Sequence, residues 1–241
     1  MRLTSERDGE RSNACCEESY KAHKELIALV ENIAHSDTTF KEAEGIIKEH
    51  WDALALHPCG GETILHKLCW NENSLPDESL FDLVQMLVEH QPEILRVKDD
   101  EGRVPLYAAC WGHCPLKVIR YLVEKDPETL TLEDNEGCWH ALHCACMEKT
   151  PLEVVEYLVQ QSRESLLHRD LDGNLPLHLA LSEGRYGSLA DPEVIKYLAC
   201  MGPGALKERD SFDEQVPMHL AASASLPDVV RALNEICQKI L

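Results

Sequence analysis

VPLYAAC at 104–110, HALHCAC at 140–146 and LPLHLAL at 175–181 are three copies of one phrase; TILHKLC at 63–69 and VPMHLAA at 216–222 are two more. The apolar residue at the centre of each is Leu65, Leu106, Leu142, Leu177 or Met218, which spaces the copies by 41, 36, 35 and 41 residues. A second phrase follows each copy: LFDLVQMLVEH, PLKVIRYLVEK, PLEVVEYLVQQ, PEVIKYLACM and PDVVRALNEI. Its leucines, Leu87, Leu122, Leu158, Leu198 and Leu233, recur at 35, 36, 40 and 35. Two independent phrases sharing one period mark a tandem repeat.

The phrases have a physical reading of their own. Pro105, Pro176 and Pro217 stand where a helix can begin, since the first helical residue loses nothing by lacking an N–H and gains from a fixed φ. Small residues such as Ala108, Ala109, Ala145, Ala221 and Ala222 let neighbouring helices approach closely. In PLKVIRYLVEK, Val118, Ile119, Leu122 and Val123 fall on one helical face, with Lys117, Arg120 and Glu124 opposite. A pair of such helices cannot bury its own apolar face, so it must be covered by the next pair.

The phrase resembles the ankyrin repeat, in which a D-x-x-G turn leads into T-P-L-H-x-A-A and then a second helix of the E-V-V-x-x-L-L kind. Asp99-x-x-Gly102, Asp134-x-x-Gly137 and Asp170-x-x-Gly173 supply the turn here, and Asp210-x-x-Asp213 replaces it before the fifth copy. The resemblance covers about residues 57–241 and implies an all-α solenoid of helix-turn-helix units with β-turn fingers. The sequence departs from the family in three ways. The segment after the second helix is longer, as in QPEILRVKD (91–99) and DPETLTLED (126–134); copies three and five carry an extra finger residue; copy two has Tyr107 where the others have histidine. The repeats fall at about 59–97, 98–133, 134–168, 169–208 and 209–241. Ahead of them, 1–14 reads as a disordered charged tail and 15–56 as two amphipathic helices capping the first repeat. NENSLPDES (71–79) and SEGRYGSLADPE (182–193) read as protruding inserts.

Composition narrows the function classes. Of 241 residues, 43 are acidic and 23 basic, for a formal net charge of −20. Phosphate backbones and anionic lipid surfaces are bound by clustered lysine and arginine, so neither nucleic acid nor membrane is an expected partner. No apolar core marks the first 25 residues as a secretion signal, so cytosol or nucleus is the expected compartment and the eleven cysteines are expected as thiols.

Catalytic motifs are sparse. No GxSxG, P-loop or HExxH occurs. Asp99-Asp100 and Asp170/Asp172 read as solvated charge on finger turns. Cys138, His140, His143, Cys144 and Cys146 form the densest group of soft-metal ligands. Register argues for another role: Cys69, Cys110 and Cys146 share one position, the second small residue of the phrase, and suit a packed core. His66, His143, His178 and His219 share another, where the resemblance implies a hydrogen bond to the neighbouring finger. The expectation is no cofactor, no metal and no enzymatic activity.

Surface recognition remains. The resemblance places partner contacts on finger tips and on the two residues after the small pair. These are Trp70, Asn71, Trp111, Met147, Glu148 and Ser182 on the helices, and Asp100, Glu101, Arg103, Asn135, Glu136, Trp139 and Asp172 on the fingers. Trp70 and Trp111 each stand five residues after the anchor leucine, so they are expected side by side, with Trp139 reaching toward them and Met147 extending the row. An aromatic row rimmed by acid suits a protein or peptide, with a basic segment favoured. The alternative is a structural or regulatory subunit that self-associates through its C-terminal end, where Val229, Val230, Leu233, Ile236 and Ile240 supply apolar groups.

The cap assignment is testable by truncation. Removal of residues 1–56 is expected to expose the first repeat and cause aggregation, whereas removal of 1–13 leaves solubility and melting temperature unchanged. A soluble 57–241 fragment as stable as the full chain, by sedimentation and thermal melting, would refute it.

Overall fold

Positions 45 and 47–49 are helical in the computed structural model, which describes residues 45, 47–49, 61–70, 76–182, 189–210 and 214–240; after them ten α-helices alternate with tight turns. They form five pairs: α1 (Ile64–Trp70) with α2 (Asp77–His90), α3 (Pro105–Trp111) with α4 (Leu116–Lys125), α5 (Ala141–Met147) with α6 (Leu152–Gln161), α7 (Pro176–Ala180) with α8 (Pro192–Met201), and α9 (Pro217–Ser223) with α10 (Pro227–Ile240). No strand occurs among the described residues. The chain divides into two compact units, Met1–Tyr121 and Leu122–Leu241. The tail at 1–14 lies outside the described residues, as does all of the expected cap but four positions, of which Ile47 is fully buried.

The first helix of each pair spans only five to seven residues, too short to persist in water. Packing holds it. Leu65, Leu106, Leu142 and Leu177 are buried to 2 % exposure or less, each worth about 1.5–3 kcal/mol relative to an exposed side chain. Cys69, Cys110 and Cys146 are fully buried, where their register placed them. The second helices bury the expected face: Val118, Ile119, Leu122 and Val123 are inside, and Lys117, Arg120 and Glu124 are exposed.

Histidine joins one turn of the chain to the next. At the start of α5, the N–H of His140 donates to His143 Nδ1 at 3.2 Å; the N–H groups of Thr63 and Leu175 do the same to His66 at 3.2 Å and His178 at 3.1 Å. A helix leaves these early N–H groups without internal partners, and imidazole here does the work usually given to glutamate three residues into the helix. Because Nδ1 accepts, the ring proton sits on Nε2, which donates to a carbonyl of the next finger. His66 reaches Arg103 O at 2.9 Å, His143 reaches His168 O at 3.1 Å and His178 reaches Glu208 O at 3.2 Å. One neutral ring thus serves a helix start and a finger at once.

The fingers are built around a buried aspartate. Asp99 Oδ1 accepts from the backbone N–H of Glu101 at 3.0 Å and Arg103 at 2.8 Å. Asp134 Oδ1 accepts from Gly137 at 2.9 Å and Trp139 at 3.1 Å, and Asp170 Oδ1 from Asn174 at 2.6 Å. Asp99 and Asp170, expected as solvated charge, are buried because the turn folds around their carboxylates. Gly102 and Gly173 take the left-handed backbone at φ 78° and 75°. In the two fingers with an extra residue that conformation moves past the turn to Cys138 (φ 55°) and Glu214 (φ 52°).

The long segment after each second helix resolves into a 3-10 turn: Pro92–Arg96, Pro127–Thr131, Arg163–Leu167 and Pro203–Lys207. Each buries one equivalent leucine, Leu95, Leu130, Leu166 or Leu206. The last helix turns Val229 and Leu233 inward, leaves Val230 and Ile236 half-buried, and exposes Arg231, Asn234, Glu235 and Gln238.

The shared histidine predicts an acid response. Burial lowers the pKa of His66, His143 and His178, His143 to about 3, because protonation would also break the Nδ1 acceptor. The folded value lies below the unfolded one, so stability is complete above about pH 6.5 and is lost as pH falls, by up to ~1.4 kcal/mol per pH unit for each ring that stays neutral in the fold. Urea unfolding between pH 7 and pH 5 should show this slope. His143→Gln should be less stable at pH 7 but show a shallower dependence; an unchanged slope would disprove the linkage.

Candidate functional site

In the first unit, Trp70 at the end of α1 and Trp111 at the end of α3 meet edge to face, with ring centroids 5.5 Å apart. Register brings them together, as expected, and Gly112 lets them come this close: a Cβ there would lie 2.3 Å from Cys69 O and 2.4 Å from Trp70 O. Tyr107, one helical turn before Trp111, stacks beneath it at 6.0 Å and is itself buried. Both indoles remain half-buried. Tyr107 was missed as a supporting ring, although its position four residues before Trp111 on a helix is the signal for such a contact.

Arg103 covers the other side of this cluster. Its guanidinium lies 4.8 Å from the centre of the Trp70 ring, while Nε donates to Asp99 Oδ2 at 2.7 Å and the guanidinium also pairs with Glu101. An arginine so held is a fixed cation over an indole face rather than a free contact residue. Asp100 is exposed at the finger tip. Asn71 lies outside the described residues.

In the second unit the expected positions separate. Trp139 Nε1 donates to Asp170 Oδ2 at 3.1 Å, and the ring lies against Gly137, whose absent Cβ would come within 2.7 Å of it. The indole is thereby committed to the neighbouring finger. Asn135, Glu136 and Asp172 are exposed and Met147 is half-buried. Glu148 corrects the expectation: it is 3 % exposed and cannot act as a surface contact. Glu148 caps the end of α5, and the next residue, Lys149, takes the left-handed backbone at φ 63°. The Lys149 ammonium caps the end of α7 through Leu179 O at 3.3 Å and Ser182 O at 2.9 Å, and Ser182 Oγ donates to His178 O at 2.9 Å. Ser182 is thus engaged in helix termination. Leu171, at the tip of the next finger, is 65 % exposed, on a finger position where the resemblance implies contacts.

The cysteine–histidine cluster of the sequence is split by the fold. Cys144 and Cys146 are buried in the core, with the Cys146 thiol pushed up to about 12 by desolvation, and His143 serves the finger bond. His140 turns the other way, onto His168.

A model of the family described as ankyrin repeats (many copies) matches residues 142–199, which span α6, α7 and most of α5 and α8. No curated protein matches the chain. No helix among the described residues is long and apolar enough to cross a membrane. With its paired helices, aspartate-anchored fingers and shared imidazole, the chain is all-α over the described residues and carries ankyrin repeats where the family model matches, at 142–199.

Proposed function

We propose that the protein is a non-catalytic adaptor that binds a basic segment of another protein on its fingers and the ends of its first helices, in the cytosol or nucleus. Ankyrin repeats generally mediate protein–protein interaction and are typically non-catalytic. The observation that carries the finer reading is the half-exposed Trp70–Trp111 pair, held by Tyr107 below and by Arg103 at its edge. Preorganised indoles lose little freedom on binding, and such residues dominate interface energies. Exposed Asp100, Glu136 and Asp172 and the net charge of −20 favour a positively charged segment, chiefly by accelerating encounter. Asn135, Glu101, Trp139 and Met147 add contact surface; Arg103 and Ser182 shape it from within.

The alternative is self-association through α10. Val229 and Leu233 point inward, and the open cleft beside α9 is lined by Leu226, Pro227 and Val230 as well as by Arg231, Asn234 and Glu235.

Affinity capture from native lysate, followed by titration of the captured protein, tests the proposal. Trp70→Ala with Trp111→Ala should weaken binding by about 30-fold or more, equivalent to ~2 kcal/mol, while circular dichroism remains helical. Asp100→Asn with Glu136→Asn should lower the on-rate and flatten its salt dependence, with residence time little changed. A folded tryptophan double variant that retains full affinity would exclude this surface.

A further inference from the structure

Three side chains in the second unit converge where neither the repeat nor the proposed binding surface requires them. Glu133 precedes the finger, His140 ends it, and His168 begins the next one, 28 residues further on. One donor atom from each lies within 4.8 Å of the others. Glu133 Oε1 stands 3.2 Å from His168 Nε2 and 3.8 Å from His140 Nε2. The two imidazoles stack face to face with centroids 3.6 Å apart.

The polar atoms of this cluster are incompletely used. His140 is 6 % exposed, yet its Nδ1 has no hydrogen-bond partner among the described residues, and His168 Nε2 is buried beside Glu133 without hydrogen-bond geometry. Leaving such atoms unpaired away from water is costly. Adding protons is a poor remedy, since two stacked imidazolium rings repel. A neutral imidazole at His140 keeps a lone pair to give.

We propose that Glu133, His140 and His168 bind a divalent transition metal of the zinc class. Two imidazole nitrogens and a carboxylate match zinc's preferences in type, with the fourth position left to water. Bonds of ~2.0–2.3 Å place tetrahedral ligands roughly 3.3–3.6 Å apart, so closure asks these side chains to move by about 1 Å. The metal would tie one finger to the base of the next, alongside the His143–His168 bond at 3.1 Å, and so stiffen the fingers themselves.

The test is a zinc titration of the full reduced chain at pH 7.4 against a chromogenic chelator, repeated on a Glu133→Gln/His168→Ala double variant. With 11 cysteines and 12 histidines in the chain, the difference between the two proteins is the readout. Wild type should hold one more zinc per chain than the double variant, and lose at least tenfold in affinity on His168→Ala alone. Cys200→Ser, at an exposed thiol on α8, should change nothing. Equal zinc stoichiometry and affinity in wild type and a double variant with unchanged circular dichroism would overturn the site.

Discussion

A neutral imidazole bonded at both nitrogens is the constraint on which the described structure turns. Nδ1 must accept because the N–H at the helix start needs an acceptor, and Nε2 must then donate, which aims it at the next finger. Each of these helices is too short to hold itself, so its start and its neighbour are fixed by the same side chain. The aspartate of each finger completes the arrangement by gathering the N–H groups of the turn. Local order and the contact between repeats are therefore not separate contributions here: loss of one ring removes a cap and a tether together.

Because short helices and buried turns absorb most of the polar backbone, the surface is free to carry side chains with no structural duty. The Trp70–Trp111 pair shows how such a surface is set. The small residues that let α1 and α3 approach, with Gly112 closest, also bring two indoles into edge-to-face contact. A bulkier residue at 112 would separate the rings as well as strain the backbone. Packing thus sets this surface, and the aromatic pair inherits the rigidity of the core.

The extra finger residue in the third copy has a different consequence. It moves the left-handed backbone position onto Cys138 and brings Trp139 over Gly137 and onto Asp170. The same finger carries His140 and Cys138 beside Glu133. A departure from the repeat's length has gathered groups of metal-binding type that the regular fingers keep apart. His143, three residues on, shows the contrast: the regular position is satisfied at both nitrogens, and the irregular one at His140 is not.

By itself the sequence determined the helix pairs, their faces and their anchors, because burial follows a helical period and that period repeats. Leu65, Leu106, Leu142, Leu177 and the equivalent cysteines are buried as their register requires, and equivalence also placed Trp70 beside Trp111. The leucines of the 3-10 turns, Leu95, Leu130, Leu166 and Leu206, recur at 35, 36 and 40; that signal was present, although the turn geometry around it was not legible. Tertiary structure alone decided what depends on direction and on distant partners. Asp99 and Asp170 are buried because backbone N–H groups converge on them, Glu148 is hidden although its helical neighbour Met147 is half-exposed, and Trp139 spends its N–H on a finger 31 residues away. Glu133 and His168 lie 35 residues apart with nothing local to link them. Their meeting is set by how one finger lies against the next, which periodicity does not encode.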